Sequence, residues 1–229
     1  MLYRLSEELR FPSPLMANAD GLLAVGGDLS EQRLILAYRM GIFPWYSQGD
    51  PPLWWSPDPR LLLLPQDFHV SGSLKRVIQK QLFGITFDTA FEQVVAGCAE
   101  RRPKSGGTWI VPEMAKAYQK LHRIGVAHSV EAWQEGRLAG GLYGISLGGC
   151  FFGESMFSRI PNASKVALEA LIRFVRERGF DMVDCQVTSP HLISLGAKEV
   201  PRRRFLEMLE KSMAKPTLDG RWAFETCNH

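Results

Sequence analysis

The 229-residue sequence predicts an α/β (α+β) protein, with a small N-terminal domain over residues 1–60 and a larger domain over residues 61–229. Two observations predict this division. The first sixty residues are rich in Pro, Gly and Trp and lead into a Pro-rich exit between Pro57 and Pro65. The rest alternates helix-period and strand-like segments, a pattern typical of a sheet covered by helices. With 45% hydrophobic residues, the chain has enough apolar surface for a real core.

The N-terminal segment contains one predicted helix. Phe11-Pro-Ser-Pro14 is expected to be extended, because a residue before proline avoids the helical region. Gly26-Gly-Asp-Leu-Ser30 is typical of a turn that leads to a helix cap. The helix is predicted over residues 31–40 and ends at Gly41.

The larger domain opens with helix and strand signals in alternation. Ser71 or Ser73 is expected to cap a short helix whose apolar residues share one face. Residues 85–87 indicate a strand. Thr89 is expected to cap a helix over residues 90–100, and Pro112 suits the first turn of the next helix.

The second half of the chain is strand-rich around one long helix. Asn162 or Ser164 is expected to cap that helix, and Gly179 ends it. A last helix is predicted over residues 201–213, while the chain after about Lys215 looks free to vary. The predicted strands cover residues 127–134, 138–147, 150–157 and 180–187, with hairpin turn signals between the first three.

Composition excludes several classes of protein. The excess of 27 Lys and Arg over 24 Asp and Glu gives a charge of +3, too small for a purely electrostatic nucleic-acid binder. The four cysteines show neither a disulfide framework nor zinc spacing, so no metal is expected. The sequence has no Walker or dinucleotide fingerprint, no signal-peptide pattern and no apolar run long enough for a membrane span. A cytoplasmic location is therefore expected.

Two segments place polar groups among apolar, strand-like neighbours, where such groups are costly without partners or a task. The first is Gly153-Glu-Ser-Met-Phe-Ser-Arg159, in which Glu154 has two possible explanations: an ion pair with Arg159 or Lys165, or a site for a cationic substrate group. The second is Asp184-Cys-Gln186. In a regular strand Asp184 and Gln186 project together, either as a site or as a solvated strand end, and Cys185 points the other way as a buried hydrophobe.

Basic and aromatic clusters leave two interpretations open. Lys75, Arg76 and Lys80 lie on a predicted helix without acidic residues, which suits phosphate binding or a solvated helix face. The run Arg202-Arg-Arg204 allows the same two interpretations. Tryptophan in Pro-rich loops either fills the core of a small domain or stacks on a base. The tryptophans in question are Trp45, Trp54, Trp55 and Trp109.

Six motifs occur in order along the chain: Gly21-Leu-Leu-Ala-Val-Gly-Gly-Asp-Leu29, Gly41-Ile-Phe-Pro-Trp45, Trp54-Trp-Ser-Pro-Asp-Pro-Arg60, Gly107-Thr-Trp-Ile110, Gly153-Glu-Ser-Met-Phe-Ser-Arg159 with Asn162-Ala-Ser-Lys165, and Asp184-Cys-Gln186. Together they give the chain a resemblance to the leucyl/phenylalanyl-tRNA–protein transferase family over nearly its full length. The resemblance implies a larger domain similar to Gcn5-related N-acetyltransferases.

The resemblance also implies an activity. Such enzymes move leucine, phenylalanine or, less well, methionine from aminoacyl-tRNA to proteins that begin with Lys or Arg, and the product is a bacterial N-degron. No cofactor is implied, and a monomer is expected. By this resemblance Asp184 and Gln186 are the catalytic pair: Asp184 orients the amine, directly or through Gln186, and handles its proton, while Gln186 positions the amine or polarises the ester. Glu154 is expected to bind a cationic or amine group of a substrate.

Further site residues follow from the same resemblance. Tyr38, Trp45 and Trp109 match positions near the 3′-terminal adenosine, and the Lys75, Arg76 and Lys80 cluster matches a basic patch for the acceptor stem of the tRNA. The lining of the pocket for the donor side chain is implied to be Leu142, Phe151, Met156, Leu171 and Val183.

The position of Gly153 bears on this pocket. Phe151 and Met156 have opposite parity in a regular strand, so they share a pocket only if Gly153 allows a bulge, or else one assignment is mistaken.

Two other functions compete with this reading. An acetyl-CoA-dependent N-acetyltransferase needs a Gly-rich turn before its main helix to hold the pyrophosphate. Here Ser158-Arg-Ile-Pro-Asn-Ala-Ser-Lys165 has no glycine, and Pro161 removes one N–H donor. A non-catalytic tRNA-binding module predicts RNA binding but leaves Glu154, Asp184 and Gln186 unexplained.

Overall fold

The computed structural model describes residues 2–100, 110–218 and 220–223, and its strands form two sheets. The N-terminal sheet has four short strands in the order β1-β2-β4-β3, with β1 parallel to β2 and the other pairs antiparallel. Its strands are β1 Tyr3–Leu5, β2 Leu22–Gly26, β3 Phe43–Pro44 and β4 Leu53–Trp55. These strands were not predicted, because two to five residues interrupted by Pro and Gly are too short to show a period of two.

The large sheet has seven strands in the order β11-β5-β10-β9-β8-β7-β6. Its strands are β5 Arg60–Leu63, β6 Gly84–Phe87, β7 Ala127–Gln134, β8 Arg137–Leu147, β9 Cys150–Ser158, β10 Met182–Gln186 and β11 Lys198–Val200. Within the described residues β9 and β10 form its one parallel pair, and α5 connects them. The strands predicted from residue 85 to residue 187 are all present, although β10 is shorter than expected.

Helices cover both faces of this sheet. The helices are α1 Glu31–Arg39, α2 Gly72–Gln79, α3 Phe91–Ala99, α4 Pro112–Arg123, α5 Ala163–Glu177, α6 Pro190–Ile193 and α7 Arg202–Met213. One core cluster contains buried residues of α1, α3, α4 and α7 together with both sheets, and a second contains buried residues of α2 and α5. The chain changes sheet between Trp55 and Arg60, but a shared core joins the two sheets.

Helix caps follow the sequence in part. Ser30 and Ser71 accept hydrogen bonds from backbone N–H groups in the first turns of α1 and α2, as expected. The Thr89 cap was wrong: its hydroxyl bonds the Phe87 carbonyl, and the buried carboxylate of Glu131 accepts the Ala90 N–H at 3.4 Å instead. A neighbouring strand thus supplies the cap, which local sequence does not reveal.

The start of α5 also differs from the expected cap. Asn162 occupies the capping position with a φ of 73°, and its side chain makes no capping hydrogen bond. Ser158, at the end of β9, accepts the Ser164 N–H at 2.9 Å. A side chain from β9 therefore satisfies a backbone N–H at the start of α5.

The C-terminal segment is part of the fold. The side chain of Trp222 is buried in the second core cluster and stacks on His128, with ring centroids 4.0 Å apart. The Trp222 N–H donates to the carboxylate of Asp88 at 2.7 Å. The segment after about Lys215, which was expected to be free to vary, therefore contains a side chain that the core uses.

Candidate active site

A cavity of about 240 Å³ lies beside the parallel strands β9 and β10. Phe43, Pro44 and Trp45 of the N-terminal region form one part of its wall, and the rest comes from β8, β9, α5, β10 and the segment that leads from β10 into α6. The five residues expected to line a donor pocket all border this one cavity: Leu142, Phe151, Met156, Leu171 and Val183. Glu154 and Gln186 supply polar groups at the same cavity.

A β-bulge brings the two residues of opposite parity to the cavity. Gly144 pairs with Gly153 and Tyr143 pairs with Ser155, so Glu154 is the extra residue of β9. Residues on either side of the bulge can therefore border the same cavity. The bulge expected at Gly153 is present.

The glycine that this bulge requires lies on the opposite strand. A Cβ at Gly144 would be 2.2 Å from the Phe152 carbonyl oxygen and 2.6 Å from the ring of Phe151. A Cβ at Gly153 would meet nothing closer than 3.6 Å, the carbonyl oxygen of Asp184. The position of the Phe151 ring thus depends on Gly144.

Glu154 is held by neutral hydrogen-bond donors. Its Oε1 accepts from the Tyr38 hydroxyl at 2.8 Å and from Gln186 Nε2 at 2.7 Å, while its Oε2 accepts from the Tyr118 hydroxyl at 2.6 Å. The first of the two explanations, an ion pair with Arg159 or Lys165, does not hold, because Arg159 pairs with Glu100 and Lys165 does not bond the carboxylate. Glu154 therefore reaches the cavity without a cationic partner among the described residues.

This environment changes the acidity of Glu154. Burial raises the pKa of the carboxyl group to about 7, although the hydrogen bonds from Tyr118, Tyr38 and Gln186 act in the opposite direction. Burial also raises the pKa of the Tyr38 and Tyr118 hydroxyls well above their ordinary range, so both keep their protons. Glu154 is therefore the group in this network that changes charge near neutral pH.

The raised pKa predicts a pH-dependent stability. A carboxyl group with a higher pKa in the folded state stabilises the fold below about pH 4.5, and this contribution is lost as the pH rises through about 7. Glu154→Gln keeps a neutral group of the same shape. Compared with wild type, the variant is expected to gain up to about 3 kcal/mol in free energy of unfolding between pH 5 and pH 8. Urea unfolding at both pH values measures this, and a constant difference would contradict it.

Asp184 lies behind the cavity and is fully buried in β10. Its two oxygens accept from the guanidinium of Arg60, at 2.8 Å from Nε and 2.6 Å from Nη2. Oδ1 also accepts the Gln186 N–H at 2.9 Å. The expectation that Asp184 contacts the amine directly does not fit this position, because Asp184 does not border the cavity and its oxygens are occupied.

Gln186 connects this ion pair to the cavity. Its φ of 64° lies in the left-handed region, which costs a non-glycine residue about 1–3 kcal/mol, and its bonded N–H helps to hold it there. Cys185 packs against the second core cluster and also borders the cavity. The pairing with β5 shifts register between Asp184 and Gln186, so the regular alternation expected for this segment is interrupted. Because Nε2 of Gln186 donates to Glu154, its side-chain carbonyl oxygen is left to accept from another group.

The three residues expected near the adenosine, Tyr38, Trp45 and Trp109, do not share one environment in the structure. Trp45 borders the cavity with 42% of its surface exposed and packs against Trp55. Tyr38 is fully buried, so a direct contact with substrate does not fit, and its place is to hold Glu154. Trp109 lies outside the described residues, as do all but one residue of the motif that contains it.

The basic cluster lies on the surface of the second helix. Lys75 and Arg76 are exposed on α2, and Lys80 is exposed at its C-cap. Leu74 is buried on the opposite side of the same helix, which orients the cluster outward. None of the three borders the cavity.

Two residues of the site were missed in the sequence. Tyr118 lies on the buried face of α4, where a place in the apolar core explains its ring but not its hydroxyl, which donates to Glu154. Arg60 precedes the run Leu61-Leu-Leu-Leu64, and a charge at the start of a fully buried strand indicates a buried partner. Within the described residues no group of three or more His, Cys, Asp or Glu side chains is arranged to hold a metal ion.

Comparisons with known proteins place this site in a family. A family model for the leucyl/phenylalanyl-tRNA protein transferase matches residues 62–210, and a model for its N-terminal domain matches residues 27–58. A leucyl/phenylalanyl-tRNA–protein transferase of Desulfatibacillum aliphaticivorans is 59% identical over 99% of this chain and 98% of its own length. One from Syntrophobacter fumaroxidans is 55% identical, with coverage of 99% and 97%.

Solved structures share less with the chain. An aminoglycoside acetyltransferase from an uncultured soil metagenomic sample has a TM-score of 0.39 at 17% identity, covering 50% of this chain and 85% of its own. A GCN5-related N-acetyltransferase from Sphaerobacter thermophilus has a TM-score of 0.36 at 17% identity, with coverage of 82% and 60%.

The family match shows the class of protein: the chain is an enzyme, an aminoacyltransferase. It belongs to the leucyl/phenylalanyl-tRNA protein transferase family. None of the helices in the described part of the chain combines the length and apolar character needed to cross a membrane.

Proposed function

We propose that this enzyme transfers leucine, phenylalanine and, less well, methionine from aminoacyl-tRNA to the α-amino group of proteins that begin with Lys or Arg. The product would enter N-degron-dependent degradation in the cytoplasm, and the enzyme would act as a monomer. The observation that carries the proposal is the apolar cavity with Glu154 and Gln186 at its edge. It combines a place for an apolar side chain with polar groups suited to an amine.

The cavity wall suits the donor side chain. The wall offers apolar surface from Leu142, Phe151, Leu171 and Val183. Burial of the leucine, phenylalanine or methionine side chain of the donor is worth roughly 1.5–3 kcal/mol. Met156 is only partly buried at the same wall, and its flexible thioether adapts to donors of different shape. One pocket can therefore accept leucine, phenylalanine and methionine.

The reaction depends on holding the amine next to the ester and does not require a covalent intermediate with the enzyme. The donor ester is already activated, and an α-amino group with an ordinary pKa near ~8 is a sufficient nucleophile once neutral. Gln186 would accept an N–H of the amine through its carbonyl oxygen and so orient the nitrogen toward the ester. Asp184 would act through Gln186, because it fixes the Gln186 backbone and does not border the cavity.

The proposed RNA contacts lie at the border of the cavity and on the surface of α2. The exposed indole of Trp45 offers a stacking surface for the terminal adenosine. The exposed cations of Lys75, Arg76 and Lys80 would meet phosphates of the acceptor stem. Trp109 would complete the adenosine site by family resemblance.

An acetyl-CoA donor fits the site less well. The Ser158 hydroxyl already occupies the Ser164 N–H at the start of α5, and Pro161 has no N–H to offer a pyrophosphate. The turn before α5 thus presents fewer donors than phosphate binding at a helix N-terminus requires.

Donor choice tests the cavity. Leucine and isoleucine differ by the position of one methyl group, and a branch at Cβ is expected to clash with the cavity wall near Cβ. Transfer from isoleucyl-tRNA is expected to be about 10- to 200-fold slower than from leucyl-tRNA, the range for one misplaced methyl group. Single-turnover transfer to a peptide beginning with Arg measures this, with an N-acetylated peptide as control. Equal rates for the two donors would contradict the pocket.

A further inference from the structure

Three oxygen-to-oxygen contacts close a ring at Glu154. The Tyr38 hydroxyl lies 2.8 Å from Oε1, the two tyrosine hydroxyls lie 2.7 Å apart, and the Tyr118 hydroxyl lies 2.6 Å from Oε2. Each distance is that of a hydrogen bond between oxygens, and each such bond needs one proton. The two oxygens of the carboxyl group connect Tyr38 to Tyr118 and so close the ring.

The number of protons in the ring decides its state. When Glu154 is ionised, the two tyrosines supply two protons for three contacts, and one contact has only lone pairs facing each other. One more proton on the carboxyl group satisfies all three, because the carboxyl O–H and the two tyrosine hydroxyls then each donate once around the ring, and the second carboxyl oxygen accepts. The arrangement therefore has room for one additional proton.

The carboxyl group also has a free position for a donor. Within the part of the chain that the structure describes, Oε1 accepts from Tyr38 and Gln186, whereas Oε2 accepts from Tyr118 alone. An oxygen of a carboxylate accepts about two hydrogen bonds, so Oε2 keeps one acceptor position. Glu154 borders the cavity, so its carboxyl group lies beside an amine held there.

We propose that Glu154, completed by Tyr38 and Tyr118, is the base that takes the proton of the attacking amine. This inference rests on the proposed transfer reaction. As the amine nitrogen bonds to the ester carbon, one N–H proton passes to Glu154. The bond between that carbon and the ribose oxygen then breaks, and Glu154 returns the proton to this oxygen. The products are an amide and a free hydroxyl, and the enzyme regains its starting state.

The position of Asp184 supports this assignment. Asp184 is buried away from the cavity, and its oxygens are bonded to Arg60 and to the Gln186 backbone. Glu154 meets the cavity and has neutral partners, and burial gives it a pKa of about 7. A base with a pKa near the working pH combines a large ionised fraction with useful basicity.

The ionisable groups that surround Glu154 set the conditions under which its carboxyl group titrates. Asp184 acts to raise the pKa of Glu154. The ionisable groups that face it from neighbouring elements are Tyr38 on α1, Tyr118 on α4, Tyr143 on β8, and Asp184 on β10 with its partner Arg60.

Removal of one hydroxyl tests the ring. Tyr118→Phe deletes a hydrogen bond to the ionised carboxylate as well as the ring of the protonated state. The bond to the charged group is the stronger of the two, so the midpoint of the acid limb of the pH–rate profile is expected to move to higher pH. Single-turnover transfer at a fixed acceptor concentration measures it between pH 5.5 and 9. A purely structural role of Tyr118 would lower the rate at every pH without moving the midpoint, and that outcome would overturn the proposal.

Tyr143→Phe provides the matched control for the midpoint. Its hydroxyl is buried beside Tyr118 and has no hydrogen-bond partner within the described residues, so the ring keeps its three contacts. The midpoint is expected to be the same as in wild type. The amine's own ionisation is common to all variants, so it cancels in the comparison.

A second readout does not depend on transfer. In protein labelled with carbon-13 at the glutamate carboxyl, the resonance absent from Glu154→Gln is expected to titrate near pH 7, and at higher pH in Tyr118→Phe. Titration near 4.5 would overturn the proposal even if transfer occurs. If no donor is transferred but the resonance titrates as expected, the proposed function fails and the proton ring stands as a structural feature.

Discussion

Replacing Arg60 by methionine is expected to lower the free energy of unfolding by about 3–5 kcal/mol. Arg60 and Asp184 are both fully buried, and the guanidinium also packs between the rings of Phe43 and Phe205. Without Arg60, a carboxylate is left inside the large sheet with no counter-charge. Chemical denaturation of the purified variant measures the loss.

A surface pair provides the control for this experiment. Arg204 and Glu207 form an ion pair on α7 with more than half of each side chain exposed, so Arg204→Met is expected to cost less than about 1 kcal/mol. Similar losses for Arg60→Met and Arg204→Met would contradict the account of the buried pair.

A double replacement separates stability from function. In Arg60→Met with Asp184→Leu no charge is left unpaired, and such replacements of buried pairs are often neutral or stabilising. Stability is therefore expected to recover in part. Transfer is expected to stay low, because the Gln186 N–H loses its acceptor in the left-handed turn. Recovery of both properties would show that the pair does not position Gln186.

Glu154→Gln is expected to reduce single-turnover transfer by about 10²- to 10⁴-fold, the usual contribution of a positioned acid or base. The amide can replace the protonated carboxyl in the ring: its NH₂ donates to Tyr118 and its oxygen accepts from Tyr38. The fold and the apolar wall are therefore kept while the base is lost. Measurements at pH 8 with saturating donor isolate this effect.

Two comparisons make the Glu154→Gln result interpretable. The free energy of unfolding of the variant at pH 8 is expected to equal or exceed that of wild type, which excludes misfolding as the cause. Near-normal transfer by the folded variant would contradict a proton-transfer role and leave Glu154 as a binding residue. Glu154→Asp retracts the carboxyl group by one methylene and is expected to restore only part of the rate.

The long elements of the fold could be predicted from the sequence, because their periods are set locally. The helix with Pro112 in its first turn and the strands of residues 127–157 follow from pattern and turn signals. Contacts between elements that are far apart in the chain could not be predicted in this way. Glu131 caps α3 from a different part of the chain, and Trp222 enters the core from the C-terminal segment.

The candidate site was predicted in its parts and missed in its connections. Opposite parity and Gly153 together indicated the bulge that Gly144 makes possible. The sequence does not reveal that Asp184 faces Arg60 across β5 and β10, or that two helices bring tyrosines to Glu154. Those contacts depend on the register of strands and the packing of helices far apart in the chain.

The most direct test of the proposed function is transfer of labelled phenylalanine or leucine from charged tRNA to a peptide beginning with Arg. We expect the label in a new amide bond at the peptide's N-terminus, with no addition to the same peptide after acetylation of its amine. No label on the free-amine peptide, with charged tRNA shown to be intact, would contradict the proposed activity.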